Sequence, residues 1–351
     1  MSEEERNSIN CPIPAADSGR ILMAHGGGGR LMHRLIADIF APAFANPELQ
    51  TAHDAAVLAA PQDRLAFTTD SFVVKPLFFP GSDIGALAVN GTVNDLAMAG
   101  AKPLWLSVGF ILEEGLPISD LKRVVLSMKE AALIAGVSIV TGDTKVVERG
   151  KCDGLYINTA GIGSISPGID IGPQRVSPGD LVLLNGDIGR HGIAVLSARV
   201  DLGLSTSIKS DCASLAGCVE KLVEAGLELH CLRDLTRGGL ATSLLEIAAA
   251  AQVQIQLSGE NIPIGQEVQS VCDLLGYDPL YVANEGRFVT ILPEKEATRA
   301  KQIIESDAAS VGCQIIGRVL RKGTPEVSLL TPLGAERLLT MLSGEQLPRI
   351  C

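Results

Sequence analysis

Residues 119–145 read SDLKRVVLSMKEAALIAGVSIVTGDTK. Leu121, Val124, Val125, Met128 and Leu133 form the apolar stripe of a helix predicted over 120–135. Ser119 is placed to cap its start and Gly136 to end it. A strand over 137–140 follows, and Thr141-Gly142-Asp143-Thr144-Lys145 stands at its end. A helix feeding a strand that ends in polar residues is the unit of an α/β protein, in which sites gather at the carboxyl ends of strands.

The same mixture recurs on both sides of this stretch. Strands predicted at 65–69, 104–112 and 156–162 complete a first unit over 21–166. The turn-rich segments Ser166-Pro167-Gly168 and Ser177-Pro178-Gly179-Asp180 open a second unit, 167–333. Its strands are predicted at 181–185, 253–257, 288–292 and 314–319, with helices near 213–226, 237–251 and 294–307. Residues 1–20 read as a loose extension, and 334–351 as a mobile tail ending in the thiol of Cys351. The expected fold class is therefore α/β, of α+β type, in two domains with a flexible tail.

Composition narrows the function. The chain of 351 residues is 46% hydrophobic and 20% charged, so it can bury more than one core. A net charge of -11 argues against nucleic acid and anionic membrane as partners. No apolar run reaches the roughly 18 residues of a membrane span, and the first twenty residues have no apolar core of a signal peptide, so a cytoplasmic location is expected. The eight cysteines, at 11, 152, 212, 218, 231, 272, 313 and 351, are spaced singly without a C-x-x-C pair, which speaks against a zinc site and a disulfide framework. Those from 212 to 313 read as buried small hydrophobes; Cys351 stands apart by position.

Several motifs suit a phosphorylating chemistry. In His25-Gly26-Gly27-Gly28-Gly29-Arg30 the glycines expose backbone N–H groups for wrapping phosphates, although the run fits neither common phosphate-loop pattern and a linker is the competing reading. Asp54, Asp70, Asp95 and Asp234 each stand among small or apolar residues, a pattern suited to magnesium held against ATP phosphates; a cap or turn role competes at each. Asn90 and Asn94 share a helix face, where buried amides need partners. Lys145 and Glu285, in Asn284-Glu285-Gly286 after an apolar run, are the leading acid–base candidates, with surface ion pairing as the alternative. His191 reads as structural, and no G-x-S-x-G marks a hydrolase nucleophile.

Taken together, the glycine run, residues 90–100, 109–115 and 141–145, the segment Arg233-Asp234-Leu235-Thr236-Arg237-Gly238-Gly239, Asn284-Glu285-Gly286 and Pro348-Arg349-Ile350-Cys351 resemble the HypE family of hydrogenase maturation proteins over nearly the whole chain from residue 21. That family is similar to aminoimidazole ribonucleotide synthetase and selenophosphate synthetase. The resemblance implies a homodimer formed through the N-terminal sheet, with ATP near the interface. It implies that Cys351 receives a carbamoyl group from the carbamoyltransferase HypF, that ATP drives dehydration to a thiocyanate, and that the cyanide passes to iron on a HypC–HypD complex for the NiFe hydrogenase. Gly27, Gly28, Asp70, Asn94, Asp95, Thr141, Gly142 and Asp143 are then the expected ATP contacts, Asp54, Asp70, Asp95 and Asp234 the magnesium ligands, and Glu285 and Lys145 the proton-handling pair. A small-molecule kinase or synthetase of the same group would share the aspartates without needing Cys351. A non-catalytic scaffold would need the cysteine without the acidic motifs.

Overall fold

A computed structural model describes residues 19–51, 55–61, 64–199 and 206–342. Asp54, Cys11, Cys351 and residues 1–18 of the extension expected over 1–20 lie outside the described residues.

The first unit is a four-stranded sheet made of β1 (Arg64–Phe72), β2 (Lys102–Glu113), β3 (Ser138–Val147) and β4 (Leu155–Ile165), in the order β1-β4-β2-β3. Only β2 and β3 run parallel; the other pairs are antiparallel. Two helices cover one face. Helix α1 (Ile84–Met98) is built from Gly, Ala, Leu and Val with no charged face, and it is buried on almost every side. It can lie close because its neighbours are small: a Cβ on Gly91 would sit 2.9 Å from the Phe72 ring, and one on Gly85 would sit 2.4 Å from the Val124 carbonyl oxygen. The Asp83 side chain caps α1 by accepting from Gly85 N–H at 2.7 Å.

Helix α2 (Ile118–Ala135) buries Leu121, Val124, Val125, Met128, Ala131 and Ala132 against α1 and the sheet, and ends at Gly136 with φ 68°. Two expectations are corrected here. Its N-cap is Pro117, so Ser119 lies inside the first turn. Leu133 is 80% exposed, since twelve residues at 3.6 per turn carry it about a third of a turn off the stripe set by Leu121.

The second unit is a seven-stranded sheet from β5 (Asp180–Leu184), β6 (Cys231–Asp234), β7 (Val253–Ser258), β8 (Phe288–Pro293), β9 (Gln314–Lys322), β10 (Glu326–Leu330) and β11 (Glu336–Leu338). Its order is β11-β10-β7-β9-β5-β8-β6, and only β10 and β7 are parallel. Helices α3 (Arg190–Ser197), α4 (Ala216–Glu224), α5 (Gly239–Ala251), α6 (Gln266–Leu275) and α7 (Glu294–Glu305) complete it. The mostly antiparallel pairing makes the fold α+β rather than a parallel α/β sheet, a distinction that strand periodicity does not carry. The expected tail also starts later than 334, because Glu336–Leu338 pairs with β10 and Leu339 is buried. Among the described residues no helix is long and apolar enough to cross a membrane.

Candidate functional site

Helix α1 projects into the junction between the two units. Asn94 accepts Leu215 N–H at 2.7 Å through Oδ1 and donates through Nδ2 to the carbonyls of Ala213, at 3.0 Å, and Glu285, at 3.5 Å. One turn earlier, Asn90 Nδ2 donates to Cys212 Sγ at 3.5 Å. The two amides expected to hold a ligand are thus occupied, at least in part, with clamping the 212–215 segment onto the first unit. Sequence order gives no warning of this, because the partners lie more than a hundred residues away.

Carboxylates gather at the same junction. Asp70 lies within β1, Asp95 within α1 and Asp234 at the end of β6, so none of the three is a helix cap or turn residue; the cap of α5 is Gly238. Asp95 Oδ2 accepts the Thr68 hydroxyl at 2.9 Å, and Asp70 Oδ1 accepts Ser71 N–H at 2.7 Å. Burial pushes the Asp70 and Asp95 carboxyls up, and at Asp70 the Asp95 charge adds to it. Asp234 is pushed up to about 7, first by burial and then by the charges of Asp95 and Asp70, against the pull of Arg233.

Glu285 completes the group. It lies in a loop after the turn Pro279–Tyr281 and ahead of β8, so the apolar run before it is a turn and not a strand. Burial holds its carboxyl well above the usual range, and the charges of Asp234, Asp211, Asp70 and Asp95 act the same way. Asp211, which no sequence pattern singles out, accepts Glu285 N–H at 3.2 Å and Gly286 N–H at 3.0 Å through one oxygen, Oδ2. Its Oδ1 and Glu285 Oε1 are buried without a hydrogen-bond partner. The loop is fastened on its other side by Asn284, which accepts Gly189 N–H at 2.7 Å and donates to the Leu235 carbonyl at 3.0 Å. His191 is fully buried, shares a hydrogen bond with Ser210 and packs edge-on against Phe79, in keeping with a structural role.

The nucleotide-loop candidates lie elsewhere. Thr141 to Lys145 do not follow a strand but run within β3, the edge strand opposite β1. At about 4.8 Å per strand, three spacings put some 14 Å between these edges. Lys145 pairs with Asp143 at 2.8 Å on the exposed edge and makes no contact with Glu285 within the chain. Gly26 packs on Val146 of β3, which sets Gly27 and Gly28 beside this edge, Gly28 at φ 73° and with open space around it. Thr141, Gly142 and Asp143 also line a cavity of about 480 Å³ with Phe40, Phe44 and Phe110. The structure therefore brings Gly27, Gly28, Thr141, Gly142 and Asp143 to one edge, and Asp70, Asp95, Asp234 and Glu285 to the junction.

The raised carboxyls have a consequence for stability. An acid held above its free value makes the folded state the better proton binder, so stability falls as pH climbs from the free value through the raised one. Moving Asp234 from 3.8 to about 7 corresponds to about 4 kcal/mol lost by pH 7. In metal-free solution Tm is expected to fall steadily between about pH 4 and about pH 7, and magnesium is expected to restore it most at the upper end. Calorimetry that shows a flat Tm with and without magnesium would contradict this electrostatic picture.

Comparison with known proteins places this geometry. Residues 52–165 match the N-terminal domain, and 177–329 the C-terminal domain, of AIR synthase related proteins. The chain is thus an AIR synthase-related protein of two domains. It is 48% identical over 334 residues to the carbamoyl dehydratase HypE of Rhodobacter capsulatus, covering 95% of this chain and 98% of that one. A crystal structure of the hydrogenase maturation protein HypE in complex with ATP superposes with a TM-score of 0.90 at 49% identity, covering 94% of this chain and 99% of that chain. The corresponding chain of a HypE–HypF complex gives 0.77 at 46% identity, covering 88% and 99%. The chain belongs to the HypE family.

Proposed function

We propose that this chain is an ATP-dependent carbamoyl dehydratase that turns an S-carbamoyl group on Cys351 into a thiocyanate, supplying cyanide for the iron centre of a NiFe hydrogenase. The observation that carries the reading is the place where the tail is rooted. The Tyr281 hydroxyl donates to the Thr340 carbonyl at 2.8 Å and accepts Thr340 N–H at 3.3 Å. Tyr281 is four residues from Glu285, at most about 14 Å of chain, while the residues from Thr340 to Cys351 span up to about 36 Å. The length of chain after Thr340 exceeds that separation, which supports Cys351 as the group presented to this junction. Among the described residues the six thiols are poor acceptors of a carbamoyl group, since burial raises them to about 11 or 12.

An amide oxygen leaves poorly, and phosphorylation converts it to phosphate; removal of both nitrogen protons then closes the nitrile. Glu285 is assigned as the base, since its raised carboxyl is strongly basic once ionised, and Lys145 as a charge-stabilising donor or proton carrier. Asp54, Asp70, Asp95 and Asp234 are assigned to magnesium, which would neutralise the transferring phosphoryl group. The donor set fits that ion. Asp70, Asp95 and Asp234 are hard oxygen donors whose carboxyls burial raises, with neighbouring carboxylates adding to it at Asp70 and Asp234; among the described residues no three His, Cys, Asp or Glu side chains are grouped to hold a metal.

A homodimer accounts for the split between the two groups of residues. The sheet face turned away from α1 is open and apolar, with Phe67 71%, Leu65 54% and Ile111 41% exposed. Packing two such faces about a two-fold axis along the strands sets β1 of one protomer over β3 of its partner, which brings Lys145 and the glycine loop of one chain towards the carboxylates of the other. Phe67→Asp is expected to give monomers in sedimentation analysis and to lose turnover together with dimerisation; a fully active monomer would sink this arrangement. A HypF-type carbamoyltransferase is assigned as the loading partner and a HypC–HypD-type iron carrier as the acceptor, all in the cytoplasm. With carbamoyl-loaded protein, one ADP and one phosphate per cyanide formed is the expected stoichiometry; ATP consumption independent of loading would favour a small-molecule kinase.

A further inference from the structure

The substrate proposed above carries an amide NH2 whose two N–H bonds must both break. Glu285 alone offers one buried unpartnered oxygen, Oε1, and Asp211 offers the second, Oδ1. Both residues are more than nine-tenths buried, Glu285 with 4% and Asp211 with 6% of its surface exposed. They are fixed to each other through backbone: Asp211 Oδ2 holds the N–H groups of Glu285 and Gly286, and Ala213 N–H donates back to the Glu285 carbonyl at 3.3 Å. The approach is so close that a Cβ on Gly286 would sit 2.0 Å from the Asp211 carbonyl oxygen. A buried carboxylate oxygen left without a donor is costly, and two of them joined at one junction mark a place where donors arrive from a ligand.

The geometry assigns Asp211 a catalytic role as the second N–H acceptor of the carbamoyl amide, Glu285 being the first. This rests on the carbamoyl dehydratase reading. As the carbamoyl oxygen attacks the γ-phosphorus of ATP and the bond to ADP breaks, one N–H proton passes to Glu285. As the C–O bond to phosphate then breaks and C≡N forms, the remaining N–H proton passes to Asp211, and phosphate leaves with the oxygen. Two protons, one ADP and one phosphate are released for each nitrile formed. Asp234, Asp70 and Asp95 act on Glu285 from β6, β1 and α1.

Asp211→Asn separates this role from the structural one. Asparagine keeps an oxygen to accept the Glu285 and Gly286 N–H groups but replaces the free acceptor by a donor. With carbamoyl-loaded full-length protein, single-turnover dehydration is expected to slow about 100-fold, while carbamoyl loading and ATP affinity stay within about threefold of wild type. Dehydration at the wild-type rate would overturn the assignment and leave the proposed function standing; failure of the wild type itself to dehydrate would instead overturn that function. If the variant does not fold, wild type loaded with 15N-carbamoyl in the presence of a non-hydrolysable ATP analogue gives the answer. Two amide protons both shifted downfield and protected from exchange support the second acceptor, and one freely exchanging proton overturns it.

Discussion

Glu285→Gln is expected to reduce dehydration by about 10³-fold while ATP still binds, because it removes the base and little else. Glutamine has the same shape, and the backbone N–H that Asp211 holds at 3.2 Å is untouched by the change. The substitution also removes the group that burial and four neighbouring carboxylates oppose when it ionises, so Tm is expected to hold or rise slightly. The loaded, undehydrated carbamoyl adduct is then expected to accumulate. Wild-type turnover by this variant would show that another group takes the proton, and loss of ATP binding would show that Glu285 belongs to the nucleotide site.

Gly286→Ala is expected to be the most damaging conservative change in the junction. A Cβ placed 2.0 Å from the Asp211 carbonyl oxygen meets only backbone atoms of 211–213, which cannot turn away as a side-chain end would. Overpacking of this kind costs about 3 kcal/mol, and relief must come by parting residues 211–213 from the Glu285 loop. Dehydration is therefore expected to fall about 100-fold or more, in line with a displaced base. Gly217→Ala is the matching control. It lies in α4 with nothing within 4 Å of its would-be Cβ, and alanine there is expected to raise stability by up to about 1 kcal/mol. Equal behaviour of the two variants would mean that the close approach at Gly286 does not matter.

Much of this arrangement was legible in local sequence. The α2 helix with its Gly136 stop, and the strands around 104–112, 181–185, 253–257, 288–292 and 314–319, follow from periodicity and turn residues, and the structure places elements there. The acidic residues Asp54, Asp70, Asp95 and Asp234 stood out because a carboxylate among small apolar neighbours needs a reason, and Glu285 because it follows an apolar run. What stayed hidden depends on contacts distant in sequence. Asp211 sits in an aperiodic stretch, and only its hydrogen bonds to Glu285 and Gly286, 74 and 75 residues on, give it meaning. Strand direction is likewise silent in an alternating pattern, so the two edges of the first sheet, with Asp70 on one and Lys145 on the other, could not be told from neighbours. Short elements such as β6, β11 and α3 gave too few residues for a period to register.

Whether Cys351 carries the group that is dehydrated can be read from intact-protein mass spectrometry. Wild type and Cys351→Ala are each mixed with the carbamoyltransferase, carbamoyl phosphate and ATP. Wild type is expected to gain the mass of a cyanide in place of the thiol hydrogen, located at Cys351 by fragmentation, and the alanine variant to gain nothing. A cyanide adduct on any other residue, or an equal gain by the variant, would contradict it.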